Sequence, residues 1–315
     1  MFKQLKIIFA GTTDFAAKHL LTLIKNNYQI VGVITTCDKP SGRGKKIKKN
    51  PVKILSEKYF ISFSQPINFK NIEIHQWIKY KKVDLLIVVA YGLILPQSIL
   101  DIPKLGCINV HASLLPRWRG PAPIQYSIHS GDDKTGITII KMDVGIDTGD
   151  ILYKSIIPIK KNDTSATLCD KLSKIGSISL IKVIKLILNN KCNYEKQNNN
   201  FASYTKKILK KEAKINWNES AIQIERYVRA FNPWPISYFL LEKQLIKVWK
   251  VEVISESYSK IPGTIVSVDK KGIYIATGNN TLNLIQLQLP GKKSVDIRNI
   301  INYYKKFFIP NQILK

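Results

Sequence analysis

VDLLIVVAYG, residues 83–92, is the stretch on which the fold turns. Apart from Asp84 it is an unbroken apolar run, rich in Val, Leu and Ile, that closes on Tyr91 and Gly92. A strand with one wet face alternates apolar and polar residues. A strand covered on both faces does not, so this run predicts the interior of a parallel sheet with helices on either side. LKIIFAG (5–11), YQIVGVITT (28–36) and CINVHAS (107–113) read as further strands. AAKHLLTLIKNN (16–27), between the first two of these, has apolar residues at helical spacing. Strands alternating with helices define a doubly wound, Rossmann-like α/β sheet, whose ligands bind beyond the carboxyl ends of the strands. TSATLCDKLSKIGSISLIKVIKLILNN (164–190) is a long amphipathic helical pattern that closes this domain.

The texture then changes. KCNYEKQNNNFASYTKK (191–207) is polar, asparagine-rich and aperiodic, and reads as a linker. A helical segment near 219–231 leads into the short apolar runs WPISYFLL, LIKVWKVEV, GTIVSV, GIYIAT and TLNLIQLQLP, most of them separated by turn residues. Short strands at this spacing predict a small β-barrel, with an oligonucleotide/oligosaccharide-binding (OB) barrel as the expected type. The expected organisation is a domain over 1–190, a linker over 191–207 and a barrel over 208–315.

No apolar run reaches the ~18 residues that a membrane span requires. The start, MFKQLKIIFAGTTDF, reads as a first strand and turn rather than a signal peptide, because its apolar stretch is short and runs straight into Gly11-Thr12-Thr13. Cys37, Cys107, Cys169 and Cys192 are scattered without metal-ligand spacing, as expected of a cytoplasmic protein with free thiols and no bound metal. The formal charge of +27 points to a nucleic-acid or anionic partner, although the abundance of Lys, Asn and Ile also fits a compositional bias. Arginine is the more selective witness: six of the 49 basic residues are Arg, and five of those are Arg43, Arg117, Arg119, Arg226 and Arg229. Arginine is the residue suited to planar, bidentate recognition of phosphate or carboxylate.

Asn109 and His111, two apart on one strand, project from the same face. A histidine passes protons near neutral pH, and an amide donates to a developing oxyanion. MDVGIDTGDIL (142–152) offers a carboxylate to hold the imidazole, Asp147, in a loop between Gly145 and Gly149. Asn, His and Asp with no serine or cysteine in step suggest direct transfer between two bound substrates. Cys107 is expected to pack rather than react. A strand-end histidine and a glycine-flanked aspartate also have a purely structural reading, which spacing alone leaves open. DKPSGRGKKIKKNPVK (38–53) is either a solvated basic loop or one that folds onto nucleic acid through Arg43, Lys45, Lys46, Lys48 and Lys49.

INVHASLLPRWRGPAPIQ together with MDVGIDTGDI resembles the signature of the formyltetrahydrofolate-dependent transformylases. The resemblance implies formyl transfer from 10-formyltetrahydrofolate to an amine, with the catalytic positions falling on Asn109, His111 and Asp147. It implies a folate-binding segment at Ser113, Leu114, Leu115 and Pro116. FAGTTDFAAKHL, VVAYGLILP, CDKPSGRGKKIKKNPVK and IERYVRAFNPWP extend the likeness to the branch of that family acting on methionine-charged initiator tRNA. By that likeness the 38–53 loop enters the end of the acceptor stem. Thr13 departs from the family pattern, where proline is common, as do Cys37 and Lys39, where Pro and Arg are common. Two alternatives are formyl transfer to a small amine, such as a nucleotide sugar or glycinamide ribonucleotide, and a non-catalytic RNA-binding role. Nothing in the sequence demands more than a monomer.

Overall fold

The computed structural model of the chain describes residues 5–41, 44, 46–297, 299 and 307–315. The chain divides into two compact units: Met1–Pro123 with Lys134–Pro158 and Cys169–Lys206, and Ile124–Asp133 with Ile159–Leu168 and Lys207–Lys315.

The elements of the first part of the chain are, in order, β1 (Lys6–Gly11), α1 (Asp14–Lys25), β2 (Gln29–Ile34), β3 (Lys39–Ser41), β4 (Lys46–Lys48), α2 (Pro51–Lys58), β5 (Phe63–Ser64), α3 (Ile72–Tyr80), β6 (Leu85–Val89), α4 (Gln97–Leu100), β7 (Cys107–His111), α5 (Pro123–His129), β8 (Lys134–Lys141), β9 (Ile151–Pro158) and α6 (Ser165–Leu188). Seven of the strands form one sheet in the order β5-β2-β1-β6-β7-β8-β9. It is parallel from β5 to β7. β8 and β9 add an antiparallel edge beside β7, which the sequence patterns had not marked as strands. All five residues of β6 are buried, as its unbroken apolar run requires. On one face Ile8, Ala10, Leu86 and Val88 pack with Ile74 and Ile78 of α3 and Ile99 of α4. Burying each such aliphatic side chain contributes about 1.5–3 kcal/mol.

Local chemistry sets the helix starts. Thr13 accepts from the Ala16 N–H at the head of α1, and Asp14 sits in the first turn, where the helix dipole favours an anion. Asn50 caps α2 by accepting from the Lys53 N–H, and Pro51 follows, where a missing N–H costs nothing. The same Asn50 accepts from the Thr35 hydroxyl and donates to the Thr36 carbonyl. This ties α2 to the chain leaving β2, at the root of the β3–β4 hairpin, whose pairing sets Lys39 opposite Lys48 and Pro40 opposite Ile47. Residues 191–206, read above as a linker, lie in the first unit: Glu195 exchanges backbone hydrogen bonds with Ile151, and Tyr204 bridges to Arg119.

In the second unit α7 (Ala221–Ala230) precedes β10 (Tyr238–Leu241), β11 (Gln244–Ile254), β12 (Ile265–Asp269), β13 (Gly272–Ala276), β14 (Thr281–Gln288) and β15 (Val295–Asp296). The sheet is antiparallel, ordered β10-β11-β14-β13-β12, with β15 added on β14. Register shifts near Lys250 curl it, as bulges do. Phe239, Ile246, Ile273, Ile275, Leu282 and Leu284 form its inner face and pack against Ile224 and Val228 of α7. The two architectures expected from the sequence, a parallel-rich α/β sheet followed by a barrel-like antiparallel sheet, are both present.

His19 on α1 is fully buried. Its Nδ1–H donates to the Phe15 carbonyl at 2.8 Å, so the bare Nε2 faces an interior in which it has no partner among the described residues. It lies against Gly176 of α6, where a Cβ would come within 2.6 Å of Nε2. Burial lowers its pKa to about 4. A base held neutral when folded and protonated when unfolded costs stability only below its unfolded pKa. Stability is therefore expected to be flat above pH ~6.5 and to fall by about 2 kcal/mol by pH 5. His19→Leu should remove most of that slope in urea unfolding at pH 7.5 and pH 5; an unchanged slope would assign it to other groups.

Candidate active site

β7 runs between β6 and β8, with Asn109 opposite Val88 on one side and Ile140 on the other, and with His111 opposite Thr138. Asn109 is half-buried and His111 buried. The loop between β8 and β9 starts at the far end of β7, where the Met142 N–H donates to the Cys107 carbonyl, and carries Asp147 back to Asn109. Within the loop Asp143 accepts from the Gly145 N–H and the Thr148 hydroxyl. At Gly149 the backbone passes so close to Lys141 that a Cβ would lie 1.7 Å from its carbonyl oxygen. Asp147 itself has φ +55°, the left-handed region.

The three residues expected to act together do meet. Asn109 Nδ2 donates to Asp147 Oδ1 at 3.0 Å. The Gly120 N–H donates to Asp147 Oδ2 at 2.8 Å, and His111 Nδ1 lies 3.4 Å from the same oxygen. His111 Nε2 donates to the Trp118 carbonyl at 2.8 Å. A carbonyl only accepts, so Nε2 carries a proton in this contact, and Nδ1 is the nitrogen that faces the Asp147 carboxylate. Asn109 spends one of its two N–H groups on the carboxylate and keeps the other. The side chains of His111 and Asp147 are 6% and 14% exposed, so an electrostatic interaction between them is poorly screened.

The 113–120 turn follows directly. Ser113 Oγ donates to the Arg117 carbonyl, the Leu115 N–H to Thr138 Oγ1, and that hydroxyl to the Ser113 carbonyl. Leu115 packs with Ile140 and Ile151. Ser113 and Leu115 are thus turned inward and hold the turn, while Leu114 and Pro116 are half-exposed. Cys107 is buried, donates to the Leu100 carbonyl, and has its thiol pKa pushed up to about 12 by that burial; it packs. Tyr91 is buried, and its hydroxyl has no partner among the described residues.

Arg119, one of the scarce arginines that the sequence marks out, faces the protein and not the surface. It is 1% exposed and spent on protein oxygens: Gln197, Asn199 and Tyr204. In the second unit Arg229 is likewise spent, on Glu225 and the Asp163 carbonyl. Of the basic loop, Arg43 and Lys45 lie outside the described residues. Lys46 and Lys48 belong to β4, with Lys48 exposed, and Lys49 pairs with Glu57 at 2.9 Å. Lys53 is turned inward onto Asp38, and that hydrogen bond holds the Asp38 carboxyl below its usual range. The groups that sequence reasoning did not single out are the Gly120 N–H, the Trp118 carbonyl and Gln197. Gly120 alone carried a signal, being a glycine in the quoted motif. No helix among the described residues is long and apolar enough to cross a membrane, and no cluster of His, Cys, Asp and Glu among them is arranged to hold a metal ion.

Residues 4–184 match the formyl transferase family model, and residues 207–305 match that of the formyl transferase C-terminal domain. The chain belongs to the formyl transferase family. Among solved structures it is similar to WlaRD, a sugar 3N-formyl transferase, at 23% identity and a TM-score of 0.66, over 92% of this chain and 100% of that one. It is similar to the N-formyltransferase from Helicobacter canadensis at 23% identity and a TM-score of 0.67, over 89% and 99% of the two chains. HypX from Aquifex aeolicus matches at 12% identity and a TM-score of 0.65, over 96% of this chain and 48% of the longer HypX. At these identities the likeness is one of fold.

Gly120 has φ +107°, and a Cβ there would stand 2.8 Å from the Thr205 carbonyl oxygen. Gly120→Ala should therefore shift the N–H that holds Asp147. Formyl transfer is expected to fall by on the order of 100-fold while circular dichroism stays that of the folded protein. Full activity in that variant would show the Gly120 contact to be dispensable.

Proposed function

We propose that this formyltransferase moves the formyl group of 10-formyltetrahydrofolate to the α-amino group of methionine on initiator tRNA. The observation that carries formyl transfer is the convergence of Asn109, His111 and Asp147 on one face of β7. The free amine attacks the formyl carbon, a C–N bond forms, and the bond from that carbon to N10 of the folate breaks. His111 Nδ1 takes the proton the amine loses and returns it to N10. Asp147 lies where the resulting imidazolium charge is offset, and the second N–H of Asn109 donates to the oxyanion. Esterification to tRNA lowers the basicity of the methionine amine, so the free form is available near neutral pH.

Folate as donor is supported by the structural neighbours, whose names include 5-N-formyl-THF, folinic acid and tetrahydrofolic acid. In the folate segment, half-exposed Leu114 and Pro116 are the side chains available for contact, and Ser113 and Leu115 shape the turn from inside. For the acceptor, support comes from the net charge of +27, from the sequence of the β3–β4 hairpin with its exposed Lys48 and Lys49, and from the likeness of residues 37–53 to the tRNA-acting branch. A second reading has an observation of its own. The names of two neighbours carry dTDP or dTDP-3-aminofucose, which favours a nucleotide-linked amino sugar as acceptor.

Formyl transfer from 10-formyltetrahydrofolate to methionine-charged initiator tRNA, charged elongator tRNA and dTDP-3-aminofucose separates the two. Activity on initiator tRNA alone is expected; turnover of the sugar alone would replace the first reading with the second. On the active acceptor, Asn109→Ala should lower kcat by about 100- to 1,000-fold, and His111→Ala retaining wild-type kcat would remove His111 from the mechanism.

A further inference from the structure

We propose that Gln197 is a positioning residue for Asp147, a strut that Arg119 holds from behind. This rests on the reading of Asp147 as part of the catalytic set. Gln197 lies between the two regions that match the family models, in a polar stretch where its neighbours Lys196 and Asn198 are exposed. Its side chain is half-buried, and its whole hydrogen-bonding capacity is used. Nε2 donates to the Asp147 carbonyl and to the Gly149 carbonyl, each at 2.8 Å. Oε1 accepts from Arg119 Nε at 3.1 Å and from Nη2 at 2.9 Å.

Two carbonyls of the glycine-flanked loop are thus pinned by one planar amide, on either side of Thr148. Asp147 keeps a left-handed backbone that an aspartate adopts at some cost, so the loop needs something to hold it there. The amide is itself pre-aimed, because the guanidinium fork grips it in one plane. Arg119 is fixed in turn: Nη2 donates to Asn199 Oδ1, Nη1 donates to Tyr204 Oη, and the backbone exchanges bonds with Ser203 and Thr205. The neighbouring Gly120 N–H holds the Asp147 carboxylate. Asp147 is therefore fixed at both ends by one assembly, its carboxylate by the turn after β7 and its backbone by Gln197. Partners of this kind orient groups that touch the substrate, and their loss lowers turnover more than binding.

Gln197→Glu separates the strut from its anchor. A carboxylate of the same shape still accepts from Arg119 but has no N–H for the two carbonyls. The expected result is a protein that circular dichroism shows to be folded, with kcat lower by about 10- to 100-fold and KM for both substrates within about twofold, measured with the acceptor the wild type uses. Because Gln197 acts through Asp147, the double variant with Asp147→Asn should be no slower than Asp147→Asn alone. Multiplying effects would overturn the proposal, as would a Gln197→Glu kcat within about twofold of wild type beside an impaired Asp147→Asn. An Asp147→Asn enzyme with wild-type kcat would instead overturn the reading of Asp147 itself, and this proposal with it. If Gln197→Glu does not fold, Gln197→Ala, which adds no charge, is held to the same kcat, KM and double-variant outcomes.

Discussion

A carboxylate that is mostly withdrawn from water must have its oxygens met by donors, and Asp147 meets that demand with the Asn109 amide and the Gly120 N–H. Those two donors come from different stretches of chain, and the need to bring them to one point organises the first unit. Asn109 is fixed because β7 is locked between β6 and β8. Gly120 is fixed because the turn after β7 is held by Thr138 of β8 and by Ser203 and Thr205 of the closing segment. The loop bearing Asp147 has no sheet partner of its own, and the antiparallel hairpin of β8 and β9 delivers it. An all-parallel sheet would have sent the chain away after β8 instead of turning it back over β7.

The sequence made the rigid parts of this arrangement legible. The unbroken apolar run at Leu85–Val89 announces a strand covered on both faces, and the fold buries every residue of it. Alternation on β7 puts Asn109 and His111 on one face, and they share Asp147. The edge strands were harder to see. KTGITIIK of β8 carries a glycine and a lysine at each end, and ILYKSIIP of β9 is interrupted by Lys154 and Ser155, so neither run matches a buried or an alternating template cleanly.

The rest of the site was illegible for a different reason. A backbone donor such as the Gly120 N–H has no side chain to mark it, and a glutamine among asparagines and lysines looks like solvated chain. What distinguishes Gln197 is a pair of carbonyls 50 and 48 residues earlier, and no local periodicity reports partners that remote. Arg119 shows the converse. Its rarity singled it out, but a scarce arginine says nothing about whether its fork opens toward a ligand or toward the protein. Burial decides that, and burial here follows from Asn199, Ser203 and Tyr204 folding over it.

The family models end at residue 184 and resume at 207, yet the first compact unit runs to Lys206. The limit of the family match and the limit of the first compact unit are therefore different places in this chain. A polypeptide stopped at residue 190 would keep Asn109, His111 and Asp147 in its sequence. It would lose Gln197, Asn199 and Tyr204, so the Arg119 guanidinium would be uncovered and left to water, and nothing would hold the Asp147 and Gly149 carbonyls. Such a fragment would contain every residue of the motif and lack the material that makes a stable domain of it.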